Sequence, residues 1–336
     1  MAIVFNLLEI FSEFERNTIY STLDNLTSGS LYFYKMSINN FPLVSVIIPN
    51  YNHSQFLDKR IKSVLEQTYK NIEIIILDDK STDNSLAIIN LYKDHPLISQ
   101  IVVNEENSGS PFKQWQKGLS LAKGNVIWIA ESDDTCERLF LEKLVAKYQK
   151  YENVSYCFCR SHLMNKKGHI KKVFQKPFGE KEFYRGRDFI EQKLIWGNAV
   201  VNASAVVFNK EKALTIRDEF MKYRGVGDWM FWTEMAEQGN VVIVDEPLNN
   251  YRYYRNNTTS NNRIDGNEIK EAKSVFDYFK EKGHLGILDE IRLRKKYIWQ
   301  IKYKTNYPQH IKQELLEIWG NNMLYGFLAW ISKLIK

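Results

Sequence analysis

The sequence predicts an α/β protein: an open, Rossmann-like, doubly wound and mostly parallel sheet with helices on both faces, followed by a helical C-terminal extension. Three observations carry that expectation. Continuous β-branched runs at VSVIIP (44–49), IEIIILDD (72–79) and VIWIA (126–130) read as strands buried on both faces. The segments between them have helical spacing. Each strand stops abruptly at turn-forming or acidic residues, as strands do when they enter loops at a sheet edge.

The elements follow in order. VSVIIP is closed by Pro49, and from Gln55 the stretch FLDKRIKSVLEQ sets Phe56, Ile61, Val64 and Leu65 near helical spacing before the strand IEIIILDD. A helix is expected over LAIINLYK with Asp83 or Ser85 as N-cap. A strand at QIVVN, a helix through FKQWQKGLSLAKG closed by Gly124, and the strand VIWIA come next. Asp134 or Thr135 is a candidate cap for a helix over ERLFLEKLVAKY. Beyond residue 150 the pattern loosens into strand-like pieces at VSYCFC, IKKVF, AVVNASAVVF and NVVIVD, with a helix from about Asp228 to Gly239. Residues 268–305 read as helical and charged. The tail LLEIWGNNMLYGFLAWISKLIK is amphipathic and suits a membrane interface, the domain itself or a partner. Residues 1–40 carry weak helical hints.

With 336 residues, 44% of them hydrophobic, the chain can bury a full core. Cys136, Cys157 and Cys159 match neither a disulfide framework nor a zinc spacing, which suits a reducing compartment. The N-terminus lacks a basic region and meets Glu9 early, so no signal peptide is expected. No apolar stretch reaches the roughly 18 residues of a spanning helix. A cytoplasmic location is therefore expected. The net charge of +6 is mild, but Arg292, Arg294, Lys295, Lys296, Lys302, Lys304 and Lys312 crowd toward the C-terminus. That distribution suits either an anionic surface, such as the inner face of a membrane, or a solvated helix face. Nucleic acid is not an expected partner, because the basic residues are not interleaved with aromatics on the sheet loops.

In open α/β sheets ligands bind at the carboxyl ends of the strands. Here four successive strand ends carry PNYNHS, DDKSTDNS, NEENSGS and ESDD. Glu131, Asp133 and Asp134 would repel one another unless a cation or protons intervened, and hard oxygens of this kind suit Mg²⁺ or Mn²⁺. Mg²⁺ usually takes one or two carboxylates together with substrate phosphates, so the cluster suggests a metal–diphosphate site.

The run VSVIIPNYNHSQFLDKRIKSVLEQTYKNIEIIILDDKSTDNS, then NSG, GLSLAKGNVIWIAESDD, GDWMFWTEMAEQG and DEPLNNYRYYRNNTTS, strongly resembles family-2 glycosyltransferases of GT-A fold over residues 43–260. The resemblance implies an inverting transferase that uses a nucleotide-diphosphate sugar, most often a UDP-sugar, to glycosylate a glycan or lipid-linked hydroxyl in bacterial surface-polysaccharide synthesis. Residues 1–42 would be an N-terminal extension. Residues 43–262 would be the catalytic domain, with a nucleotide half at 43–150 and an acceptor half at 151–262, and 263–336 a helical region that meets membrane or partner. By the same resemblance Pro49, Asn50, Tyr51, Asn52, Asp78, Asp79, Asn107, Glu131, Ser132 and Asp133 border the donor. Asp133 and Asp134 are the metal candidates, since Glu131 replaces the usual first Asp of the family's acidic motif. Asp228 matches the catalytic base. The resemblance also implies donor-binding cations: Lys113 or Lys117 in place of an Arg that family members carry, and Arg255 meeting the phosphates in place of a His, itself replaced here by Tyr254. Trp196, Asn198 and Asn202 are acceptor-side candidates. The alternative is a non-catalytic subunit that keeps the fold and binds nucleotide as a scaffold; Glu131 and Tyr254 favour it, and the intact Asp79, Asp133, Asp134 and Asp228 oppose it.

Overall fold

The computed structural model describes residues 41–254, 266–304 and 307–320. It opens with β1 (Val44–Asn50), α1 (Ser54–Leu65), β2 (Ile72–Asp78), α2 (Ser85–Asn90), β3 (Ile98–Val103), α3 (Pro111–Leu121) and β4 (Val126–Ile129), the alternation expected from the sequence. β1 pairs in parallel with β2 on one side and β4 on the other, and β3 extends β2. The chain thus builds outward from β1 and then crosses back to its other side. This reversal makes the carboxyl ends of β1 and β4 the place where such a sheet receives a ligand.

Pro49 is tolerated in this central strand for a geometric reason. It shares the parity of Ile47, whose carbonyl accepts the Ala130 N–H, so its missing N–H falls on the β4 side beyond Ile129, where the ladder has ended. Gly118 lets α3 lie directly on β1, since a Cβ there would come within 2.5 Å of Ile47. Gly124, expected to close α3, instead lies three residues past Leu121 and is held against the Leu43 carbonyl, which a Cβ would meet at 2.3 Å.

The second half comprises β5 (Thr135–Cys136), α4 (Phe140–Lys150), β6 (Val154–Met164), β7 (Ile170–Val173), β8 (Phe183–Tyr184), α5 (Gly186–Gln192), β9 (Val206–Asn209), α6 (Lys210–Leu214), α7 (Gly227–Gln238) and β10 (Asn240–Arg252). Two expectations are corrected. AVVNASAVVF is not one strand: a 3-10 turn over Ala203–Ala205, capped by the Asn202 side chain, precedes β9. Neither Asp134 nor Thr135 caps α4, because the chain first forms β5, which pairs with β10 at Asn249 and Asn250. β9 runs antiparallel to both β4 and β6, while β6 and β10 are parallel, so both halves share one sheet in the order β3-β2-β1-β4-β9-β6-β10-β5.

Strand alternation sorts the core into two layers. Val46, Ile48, Ile74, Ile76 and Trp128 pack with α1 and α4, whereas Ile47, Ile75, Leu77, Ile127 and Ile129 face α3 and α7. The C-terminal helices α8 (Asn267–Glu281), α9 (Ile287–Trp299) and α10 (Gln309–Ile318) bury Phe276, Phe279, Leu293 and Leu315 in this second layer. Trp319 completes it. Its ring is fully buried, stacks on Tyr297 at 4.1 Å between centroids, and donates Nε1–H to the Ile269 carbonyl at 3.1 Å. Trp319→Ala is expected to cost about 3–5 kcal/mol, seen as a lower urea midpoint with an unchanged slope. No helix among the described residues is long and apolar enough to cross a membrane.

Candidate active site

The loops after β1 and β2 lock one another. Asn50 donates its amide to Asp78 Oδ2 at 2.8 Å and to Ser81 Oγ at 3.2 Å, and Asp78 Oδ1 accepts the Ser81 N–H. Asn52 takes a left-handed φ of 55° and accepts the Thr82 N–H at 2.7 Å. Asp83 accepts N–H groups from both Ser54, at the start of α1, and Ser85, at the start of α2. Asp78 and Asn52 therefore shape the loops, and Tyr51 is the exposed side chain between them. Asn50 Oδ1 is buried without a hydrogen-bond partner among the described residues. Such an acceptor is what a ligand N–H would meet.

Asp79 organises the third loop. Oδ1 accepts from Asn104, the Ser108 N–H and Gln114, and Oδ2 accepts the Ser108 hydroxyl. One further acceptor position remains on Oδ2 by lone-pair count. Asn107 donates to the Asp79 carbonyl, and Lys113 to the Ser108 carbonyl at 3.0 Å, so both are tied to this loop while remaining exposed. Arg255 lies outside the described residues.

The acid loop leaves β4 at Ala130 and is pinned at once by β5. Its three carboxylates have different surroundings. Asp134 is buried, with Oδ2 accepting Asn202 and Ser204 at 2.9 and 2.8 Å and Oδ1 accepting the Arg252 N–H at 2.8 Å. Its oxygens face the protein, so the structure gives it the task of fixing the loop. Asn202, an acceptor-side candidate, is likewise internal and serves as this brace. Glu131 accepts the Trp115 indole N–H at 2.9 Å, and burial pushes its carboxyl up to about 8. Asp133 stays partly accessible and is hydrogen-bonded by the Tyr254 hydroxyl; burial raises its pKa, and the charges of Arg60 and Arg252 oppose that rise. Ser132 Oγ meets His53 Nδ1 at 2.8 Å, and His53 Nε2 meets Tyr254 at 3.3 Å. Tyr254, which stands where the family resemblance implies a His, thus lies at the edge of the acid loop.

Two guanidiniums that the sequence reading passed over balance this cluster. Arg60 is fully buried; Nε donates to the Glu131 carbonyl at 2.8 Å, and its terminal nitrogens have no hydrogen-bond partner among the described residues. Arg252 bonds the Asp133 carbonyl and lies 4.4 Å over the Phe56 ring. Arg60 was legible: it shares the apolar stripe of Leu57, Ile61 and Val64, where a charged residue needs a reason. No three His, Cys, Asp or Glu side chains converge as a metal cage among the described residues. Asp133, with Glu131 beside it, fits instead the Mg²⁺ or Mn²⁺ pattern in which one or two carboxylates are completed by phosphate oxygens. Asp134→Ala would leave three buried donors, from Asn202, Ser204 and Arg252, without this acceptor. A loss of about 1–3 kcal/mol for each is expected on denaturant unfolding, whereas Asp133→Ala should unfold close to wild type.

Asp228 sits in the first turn of α7, where Gly227 is required because a Cβ would meet the Phe112 ring at 2.4 Å and the Phe220 carbonyl at 2.5 Å. Its Oδ1 accepts the Trp229 N–H at 2.8 Å and Oδ2 accepts the Asn198 amide at 2.9 Å. Burial pushes its carboxyl up to about 7, against those two hydrogen bonds. Asn198 is therefore a direct partner of Asp228, and Trp196, two residues before it, is over a third exposed. Phe112 and Trp115 of α3 pack edge to face at 5.1 Å, Phe112 lying under Gly227 and Trp115 reaching Glu131. This aromatic pair links the α7 start to the acid loop.

A mostly parallel sheet with acids and polar loops at the β1–β4 crevice, and the Asp228 carboxyl at the start of α7, is the arrangement of a GT-A glycosyltransferase. The model of Glycosyl transferase family 2 matches residues 45–214, and the chain belongs to that family. It is 28% identical to an uncharacterized glycosyltransferase of Haemophilus influenzae, covering 71% of this chain and 73% of that one. It is also 28% identical to the putative teichuronic acid biosynthesis glycosyltransferase TuaG of Bacillus subtilis, over 71% of this chain and 88% of TuaG. Among solved structures, Staphylococcus aureus TarS 1–349 in complex with UDP-GlcNAc superposes with a TM-score of 0.54 at 16% identity, covering 81% of this chain and 70% of that one. Mannosyltransferase PcManGT from Pyrobaculum calidifontis, in complex with GDP-Man and Mn²⁺, gives 0.53 at 16% identity over 88% and 80%. These two share the fold.

Proposed function

We propose that this glycosyltransferase is metal-dependent and inverting, moving one sugar from a nucleotide-diphosphate sugar, a UDP-sugar first among candidates, to a hydroxyl of a growing surface glycan or its lipid-linked precursor. The observation that carries the reading is Asp228: a carboxyl held by Asn198 and the Trp229 N–H, with its pKa pushed up to about 7, is matched to accepting a proton near neutrality. Asp228 takes the proton of the acceptor hydroxyl as that oxygen bonds to the sugar C1. The bond from C1 to the diphosphate breaks on the opposite face, which inverts the anomeric centre. Asp133, with Glu131, would hold Mn²⁺ or Mg²⁺, which when bound offsets the charge gathering on the leaving diphosphate. Asn50 Oδ1 and the remaining acceptor position on Asp79 border the nucleotide, and Asn198 keeps Asp228 aimed. Wall-glycan synthesis is supported by the TuaG likeness.

The test is calorimetric titration of UDP, GDP, CDP and ADP with and without Mn²⁺. One nucleotide should bind, with Mn²⁺ strengthening it. A folded protein that binds none of them would end the reading.

A further inference from the structure

α9 exposes apolar and basic side chains on one face. Leu288, Arg292, Lys295 and Trp299 recur at helical spacing, and the π-helical turn Gln300–Lys304 that continues the helix carries Lys302 and Tyr303, the Tyr303 ring 6.3 Å from that of Trp299. Leu288, Trp299 and Tyr303 are 54%, 53% and 74% exposed. The opposite face is anchored, because Ile291, Tyr297 and Ile301 are buried in the core. The stripe is therefore displayed on a rigid support. Asp289 pairs with Arg292 of this stripe at 3.1 Å and Glu290 with Arg294, so Arg292, Arg294, Lys295 and Lys296 leave the helix net positive against its two acids. Aromatic side chains set among cations on one helix face match the boundary between anionic headgroups and acyl chains: rings enter the interface and ammonium groups meet phosphates.

We propose that this face of α9 docks the enzyme on an anionic lipid surface. Its placement gives the docking a purpose. Lys296, on the same helix, donates to the Trp196 carbonyl, and two residues further Asn198 bonds Asp228. A membrane at α9 is thus coupled through one short segment to the acceptor side of the base. The purpose rests on the lipid-linked acceptor proposed above; the docking itself does not depend on turnover.

Flotation of the full chain with vesicles of phosphatidylglycerol and phosphatidylethanolamine, beside pure phosphatidylcholine vesicles, tests it. Wild type should float with the anionic vesicles alone and be released by salt. Trp299→Ala/Tyr303→Ala should weaken partitioning at least tenfold, and Lys295→Gln/Lys302→Gln about 30-fold, with nucleotide binding by calorimetry unchanged in both. Equal flotation of variants and wild type, or equal binding to phosphatidylcholine, overturns the proposal. Self-association of wild type in sedimentation that Trp299→Ala/Tyr303→Ala abolishes, without vesicle binding, would assign the face to a second copy and overturn it too. Loss of nucleotide binding in wild type would strike the donor reading instead and leave the flotation result standing.

Discussion

Asp228→Asn should lower kcat by about 10²- to 10⁴-fold, the usual contribution of a general base, with nucleotide affinity unchanged. The amide keeps the shape and still accepts the Trp229 N–H through its oxygen, but it cannot take a proton, and its NH2 replaces the oxygen that accepted from Asn198. In wild type the rate should rise as pH climbs through about 7, where Asp228 loses its proton, and that limb should vanish in the variant. Stability should move the other way. Because the folded-state pKa lies above the ordinary value of 3.8, the native state binds the proton more tightly. That contribution is fully present below about pH 4 and is lost as pH rises through about 7. At pH 8 the variant is therefore expected to regain on the order of 1–3 kcal/mol of this lost stability, given partial exposure of the group, offset by about 1 kcal/mol for the Asn198 hydrogen bond it loses. A variant with wild-type turnover, measured by release of nucleotide diphosphate in the presence of acceptor, would remove Asp228 from the mechanism.

The second large effect is expected at Asp133. Asp133→Ala should abolish the Mn²⁺-dependent part of nucleotide binding, a loss greater than the roughly 10- to 100-fold that outer partners of a metal site cost. The contrast with Asp134 makes the result interpretable, since Asp134→Ala is expected to act through stability and Asp133→Ala through affinity. Burial raises the pKa of both Glu131 and Asp133 above the ordinary carboxylate range. Protons must leave the loop when a cation enters, so Mn²⁺ affinity should increase with pH from 6 to 8. Calorimetry in two buffers of different ionisation enthalpy would detect the released protons. Metal-independent nucleotide binding with an affinity untouched by Asp133→Ala would place the diphosphate elsewhere.

Much of this site was legible because strands and their ends are local features. The β-branched runs of β1, β2 and β4 can be read without the rest of the chain, and the topology rule then places PNYNHS, DDKSTDNS and ESDD on one edge. Boundaries failed where a contact distant in sequence intervened. The pairing of Thr135–Cys136 with Asn249 and Asn250 took from Asp134 the capping role that its local sequence suggested. The 3-10 turn before β9 exists because Asn202 reaches both Ser204 and Asp134.

The sequence by itself therefore determined the β/α alternation of the first half, the edge that bears the acids, and the family; periodicity and residue type encode these directly. Only the tertiary structure separated the three acids into a brace, an indole partner and an accessible carboxylate. It also placed Asn198 on Asp228 and buried Arg60 and Arg252 beside the loop. The reason is physical: a carboxylate's task depends on which donors reach it and how much water remains, and here those donors are distant in sequence, as Arg252 is from Asp134 by 118 positions.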